Sequence, residues 1–253
     1  MKNNQLMIYG AYGYAGELMV REAVAQGLCP IIGGRDAEKL KPIATELSLE
    51  CRAFGVRNTG SNLQDISVLL NCAGPFSATA EPLARACLAQ QIHYLDITGE
   101  IDIFRKCHAL DEEARQQNVL ILPGAGTDIV PTDCLAAMLK EKLPVATRID
   151  LALSFGTNPS IREGGMLKVV SNAFQMRKIP FQNKPQWAMT IPWGDVFTSG
   201  ISTGVPDGAV YMAMPRMSIY MIRLTNPVKG ILNTQFGQKI TKRLAGWLMK
   251  KGS

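Results

Sequence analysis

The octapeptide YGAYGYAG, Tyr9 to Gly16, directly follows the apolar run Leu6, Met7, Ile8. It precedes a stretch in which Ala15, Leu18, Met19 and Ala23 recur at helical spacing and Gly27 stands where a helix ends. In such a strand, turn and helix, the first glycine permits the tight turn and the second lets backbone approach a phosphate. The third lets the helix pack closely on the strand, and the helix N-terminus offers free N–H groups and a positive dipole end. Gly10, Gly13 and Gly16 occupy these places, with Tyr12 and Tyr14 between them. The spacing is Gly-x-x-Gly-x-x-Gly rather than the commoner Gly-x-Gly-x-x-Gly, so a glycine-rich turn without a ligand stays open as the alternative.

The pattern that follows alternates. A helix over 14–26 leads to the strand CPIIGGR. Asp36 caps a helix running to Leu47, and ECRAF and Ile66 to Asn71 read as third and fourth strands. A helix from Thr79 to Gln90, the strand HYLDIT, a helix from Glu100 to Gln117 and the strand NVLILPG complete the series. Continuous apolar strands separated by helices predict an α/β fold, a doubly wound parallel sheet of the Rossmann type, over residues 1–130. Beyond it, residues 131–253 read as a second, α+β domain for substrate binding or dimerisation, incomplete at its C-terminus. There a helix spans Pro131 to Leu143, TRIDLALSF alternates like a half-exposed antiparallel strand, and GGMLKVVSNAF reads as a helix.

Composition removes several alternatives. The six cysteines form no Cys-x-x-Cys and several sit in apolar runs, which points to a reducing compartment and a cytoplasmic protein. His93 and His108 have no partner at ligand spacing, so no metal site and no histidine triad is expected. No run reaches the roughly 18 apolar residues of a membrane span. The stretch after Lys2 reads as a first strand and turn rather than a secretory signal.

The end of the second strand reads GGRD. Arg35 would offer a planar charged donor to a 2′-phosphate, beside the open backbone of Gly33 and Gly34, which selects NADP. In the competing arrangement Arg35 pairs with a surface carboxylate and Asp36 holds the ribose, but helix capping already accounts for Asp36. NCAGPF follows the fourth strand and brings Cys72, Ala73, Gly74 and Pro75 to the carboxyl edge of the sheet, near the nicotinamide ribose. Cys72 has no neighbouring base to make it a nucleophile. The later strand ends supply Asp96, Glu100, Asp128 and Asp133 as candidates for proton transfer, with Thr98 and Thr132 beside them; helix capping competes for each. No tyrosine has a lysine four positions later, which sets aside the Tyr-x-x-x-Lys scheme of short-chain reductases.

Together YGAYGYAG, GGRDAEKL, NCAGPF, HYLDITGE and PGAGTDIVPTDCLA resemble the saccharopine dehydrogenase-like oxidoreductases, including the trans-acting enoyl reductases, over about residues 5–140 and more loosely to about 225. The resemblance implies an NADP-binding Rossmann domain and a substrate domain, with hydride passing from NADPH to a conjugated double bond or an imine carbon. It places Gly10, Gly13, Gly16 and Arg35 on the nucleotide motif and Cys72 to Pro75 on the nicotinamide-side loop. Thr127 stands where such proteins commonly carry an aromatic residue.

Eight of the 27 lysines and arginines lie beyond Asp207, where no acidic residue occurs, so the rest of the chain is near neutral. Leu232, Phe236, Ile240, Leu244, Trp247 and Leu248 share one helical arc bordered by Lys239, Lys242, Arg243 and Lys250. A basic amphipathic helix over 231–251 suits peripheral membrane contact or a lid over an acyl chain; packing against a missing C-terminal segment or a second subunit, as in a homodimer, is the competing reading. Basic residues without interleaved aromatics argue against nucleic acid. Two functions follow: an NADPH-dependent reductase of an apolar, acyl-linked small molecule, or a non-catalytic NADP-binding protein held at a membrane surface or in a complex.

Overall fold

The computed structural model describes residues 5–153, 160–171, 173–181, 184–224 and 226. They fall into two compact units. The first reaches Ala146 and includes Phe197–Gly204; the second comprises Thr147–Val196 and the described residues from Val205 onward. The first unit therefore extends past residue 130, the boundary expected from the sequence.

In the first unit β1 (Gln5–Tyr9), α1 (Tyr14–Ala25), β2 (Ile31–Gly34), α2 (Ala37–Leu47), β3 (Cys51–Ala53) and β4 (Ile66–Asn71) are followed by α3 (Phe76–Ala89), β5 (His93–Asp96), α4 (Ile101–His108), α5 (Asp111–Gln116), β6 (Ile121–Leu122) and α6 (Val130–Lys142). The sheet order is β3-β2-β1-β4-β5-β6 and every pairing is parallel. This is a doubly wound Rossmann sheet, whose strand order reverses beside β1. The pleat distributes β1 between two cores: Met7 and Tyr9 pack with Leu83, Ile92 and Tyr94, whereas Ile8 packs with Val20, Ile32 and Leu40. Apolar cover on both faces explains why the strands read as continuous apolar runs.

Two helices differ from the sequence expectation. The segment from Glu100 to Gln117 is not one helix but α4 and α5, broken where Leu110, 4% exposed, turns into the core. No glycine or proline marks that break, because tertiary burial makes it. α3 starts three residues before Thr79, with Pro75 at its N-cap.

The second unit contains β7 (Arg148–Leu153), β8 (Ser160–Glu163), β9 (Met166–Val169), β10 (Met176–Phe181), β11 (Lys184–Ile191), β12 (Asp207–Ala213) and α8 (Arg216–Leu224); α7 (Asp195–Thr203) begins here and passes into the first unit. Its sheet runs β10-β11-β12-β8-β9, with β7 also on β12. GGMLKVVSNAF is not a helix: β8 and β9 form an antiparallel hairpin in which Glu163 faces Met166. The loop is Gly164 and Gly165, both at positive φ (56° and 78°), the requirement of a two-residue type I′ turn. β7 alternates as expected, but it pairs with β12 in parallel, not antiparallel, from Arg148 opposite Asp207 to Leu153 opposite Met212. Alternation reports one buried face and carries no information on strand direction. Ala188, Ala209 and Tyr211 form the centre of this unit, and the buried Arg162 donates to the carbonyls of Val196, Val205 (2.9 Å) and Pro206 (3.2 Å).

Among the described residues no helix is long and apolar enough to cross a membrane. The amphipathic segment 231–251 lies outside the described residues.

Candidate functional site

The turn after β1 is built on backbone contacts that a side chain would prevent. Gly10 has φ +86°, and a Cβ there would lie 2.7 Å from the amide nitrogen of Ala73. Its own N–H donates to the Gly33 carbonyl (2.8 Å), tying the turn to β2. Gly13 is the N-cap of α1 and makes no side-chain cap bond, so the first-turn N–H groups stay available to a ligand. A Cβ on Gly16 would sit 2.1 Å from the Gly10 carbonyl oxygen, so this glycine permits the close seating of α1 on the turn. Gly10 and Gly16 are thus required by the backbone contacts of the turn that opens α1.

The second strand supplies the wall for the adenosine end. A Cβ on Gly34 would meet the Tyr12 ring at 2.6 Å, so the ring lies close against the end of β2, with the Lys39 ammonium 5.7 Å from its centroid. Tyr14 is 87% exposed at the first position of α1. Arg35 follows directly, exposed and in no salt bridge among the described residues. Asp36 is committed to capping α2, accepting from the N–H groups of Glu38 (3.1 Å) and Lys39 (3.3 Å). Arg35 is thus a charged donor with no capping role, next to the Asp36 cap.

The loop after β4 is clamped by side chains that sequence reasoning missed. The Asn71 side-chain oxygen accepts from the Ala73 N–H (3.0 Å), and the Thr79 hydroxyl donates to the Ala73 carbonyl (2.6 Å). Both polar backbone groups of Ala73 are held, at the residue that abuts Gly10. The Asn71 amide donates to the Tyr94 hydroxyl (3.1 Å), which donates to Asp96 Oδ2 (2.8 Å); Asp96 Oδ1 accepts from the N–H groups of Thr98 (3.0 Å) and Gly124 (2.9 Å). This buried chain ties together the carboxyl ends of β4, β5 and β6. The sequence signal for it was a polar residue ending each of two apolar strands, Asn71 and Asp96, at positions where strand-end turns also suffice.

Each predicted site residue now has a place. Cys72 is buried beside this loop, and burial pushes its thiol up to about 12, with Asp96 adding to the shift. Pro75 caps α3, and Gly74 lies in open space before it. Asp96 is fully buried and its carboxylate is filled with hydrogen bonds; burial raises its pKa despite the Thr98 and Gly124 amides that oppose the shift. Glu100 accepts from the Phe76 N–H (3.1 Å) at the start of α3, next to the loop. Asp128 is exposed after β6. Asp133 lies on α6, in a separate cleft at the β6 edge, and is not gathered with the others.

The cradle, the β2 end and the clamped loop surround the reversal point of a 3-2-1-4-5-6 sheet, where a dinucleotide binds. Residues 6–122 match the family model of the saccharopine dehydrogenase NADP binding domain. The matched residues form an NADP-binding domain. A saccharopine dehydrogenase-like oxidoreductase of Rattus norvegicus is 26% identical over 179 residues, covering 61% of this chain and 42% of that protein. A protein named as a candidate trans-acting enoyl reductase of Mycobacterium tuberculosis is 28% identical over 145 residues, covering 51% of this chain and 33% of that one. The matched part thus spans less than half of either relative. Apo saccharopine dehydrogenase from Saccharomyces cerevisiae shares the fold: TM-score 0.62 at 9% identity, over 88% of this chain and 57% of that one.

Proposed function

We propose that this chain is an NADPH-dependent reductase that delivers hydride to the conjugated C=C or imine carbon of an apolar, acyl-linked substrate. The observation that carries the reading is the turn of Gly10, Gly13 and Gly16 at the α1 N-terminus, set beside an exposed Arg35 with no salt bridge among the described residues, since this arrangement suits a pyrophosphate and a 2′-phosphate. The name of the mycobacterial relative supports the enoyl class. When bound, the reduced nicotinamide supplies the hydride. The chain's own contribution is to hold the pyrophosphate at the α1 N-terminus and to keep Ala73 fixed through Asn71 and Thr79. Of the four acids singled out in the sequence, Glu100 is the one bonded beside the nicotinamide-side loop, and we assign it the proton transfer.

The test is the loss of NADPH absorbance with an enoyl thioester and, separately, with a cyclic imine. Turnover of either supports the reading and names the class; Glu100→Gln should then lower turnover while NADPH affinity holds. Tight NADPH binding with no turnover of any unsaturated acyl or imine probe would replace it with the non-catalytic, NADP-binding role. Association with liposomes would extend that role to a membrane surface, through 231–251.

A further inference from the structure

A second cleft, of about 440 Å³, runs along the free edge of β6 inside the first unit and uses none of the cradle residues. Its size is that of a small-ligand site. The walls are mainly apolar, with Phe104, Ile121, Ile129, Phe197 and Ile201 prominent, and the Phe104 and Phe197 rings stand 6.4 Å apart. Into this surface α6 and α7 bring Asp133, Thr198 and Ser202. The Ser202 hydroxyl donates to Asp133 Oδ2, but Asp133 Oδ1 and the Thr198 hydroxyl oxygen are buried and have no hydrogen-bond partner among the described residues. Asp111 and Arg115, which also line the cleft, are exposed and pair with each other (2.9 Å), and the His108 ring stands edge-on to that of Phe197 (5.9 Å).

A buried carboxylate oxygen only accepts, and leaving it unpaired is costly. The group that satisfies it must be a donor, and an apolar surround favours a donor whose positive charge offsets the carboxylate. We propose that the β6 cleft binds an apolar molecule bearing a primary or secondary ammonium group. Its N–H groups bond the Asp133 carboxylate and the Thr198 hydroxyl once these side chains rotate toward the cleft, and its hydrocarbon body lies between Phe104, Phe197 and Ile201. None of the lining residues belongs to the glycine cradle, the β2 end or the loop Cys72–Pro75, so this ligand and NADPH use different residues. The inference does not depend on the reductase reading.

The experiment is calorimetric titration of the full 253-residue chain, with and without saturating NADPH, using phenylbutylammonium, phenylbutanol and phenylbutyrate as isosteric probes. The ammonium is expected to bind at least about tenfold more tightly than the alcohol, the carboxylate not at all, and NADPH to change neither result. Asp133→Asn should weaken the ammonium by about tenfold and leave the alcohol nearly unchanged. Ile201→Trp, at a position 56% exposed and tolerant of bulk, should fill the cleft and block both probes while NADPH still binds. Equal affinity for the three probes, no binding of the ammonium, or ammonium binding indifferent to Ile201→Trp would each overturn the proposal. The comparison of probes on the unsubstituted chain, and the Ile201→Trp result, decide the matter even if Asp133→Asn fails to fold.

Discussion

Gly16→Ala adds one carbon at the most constrained point of the nucleotide cradle. That carbon would lie 2.1 Å from the Gly10 oxygen, 2.8 Å from the Gly10 carbonyl carbon and 3.0 Å from Ala11 Cα, and all three are backbone atoms that cannot swing aside. Restoring a tolerable contact moves α1 away from the turn by about 1 Å, because close-packed interiors transmit such strain rather than absorb it. Overpacking of this kind costs about 1–3 kcal/mol of stability, a drop of several degrees in melting temperature for a domain of this size. The larger effect falls on the cofactor: the N–H groups of α1 are displaced from the phosphates by the same distance, and a misplacement of about 1 Å costs on the order of a hundredfold where geometry is exacting. NADPH and NADH should suffer alike, since both present the same pyrophosphate. Fluorescence titration of both cofactors, with Leu18→Ala as a control at an exposed position of the same helix, checks the expectation. Unchanged affinity and melting temperature in Gly16→Ala would refute the assignment of this glycine, and with it the cradle.

Arg35→Ala should weaken NADPH more than NADH by over tenfold, the worth of charge-assisted bonds to a phosphate of about 1.5–3 kcal/mol; equal losses measured by titration would return the ribose to Asp36. Tyr94→Phe removes the hydroxyl between Asn71 and Asp96 and leaves a buried amide and a buried carboxylate oxygen each one partner short. Urea unfolding should show a loss of about 1–3 kcal/mol, and no change would mean that the chain of bonds is not formed. The raised thiol of Cys72, at about 12, holds almost no thiolate near neutral pH. A disulfide reagent added to the native protein should therefore titrate the three exposed cysteines, Cys29, Cys51 and Cys134, and reach Cys72, Cys87 and Cys107 only after denaturant is added.

The parallel sheet and its nucleotide end were legible in the residues themselves. Apolar runs buried on both faces, helices of amphipathic spacing between them, and glycines required by backbone contacts are local facts, each written in adjacent positions. The Asp36 cap is local in the same sense. What the sequence could not disclose depends on distant partners. The α4–α5 break answers to the burial of Leu110, and the parallel course of β7 answers to β12, more than fifty residues later. The hairpin at Gly164 and Gly165 was written locally but in a competing signal: Met166, Leu167, Val169 and Val170 fit a helix face as well as a strand, and the Gly-Gly turn decides between them. The chain Thr79, Asn71, Tyr94, Asp96, Gly124 joins residues drawn from three strand ends. The pairing of Asp133 with Ser202 joins α6 to α7 across almost seventy residues. Periodicity and turn chemistry act within a few residues and can be read in order; hydrogen-bond satisfaction and close packing are set by whichever groups the folded sheet brings together.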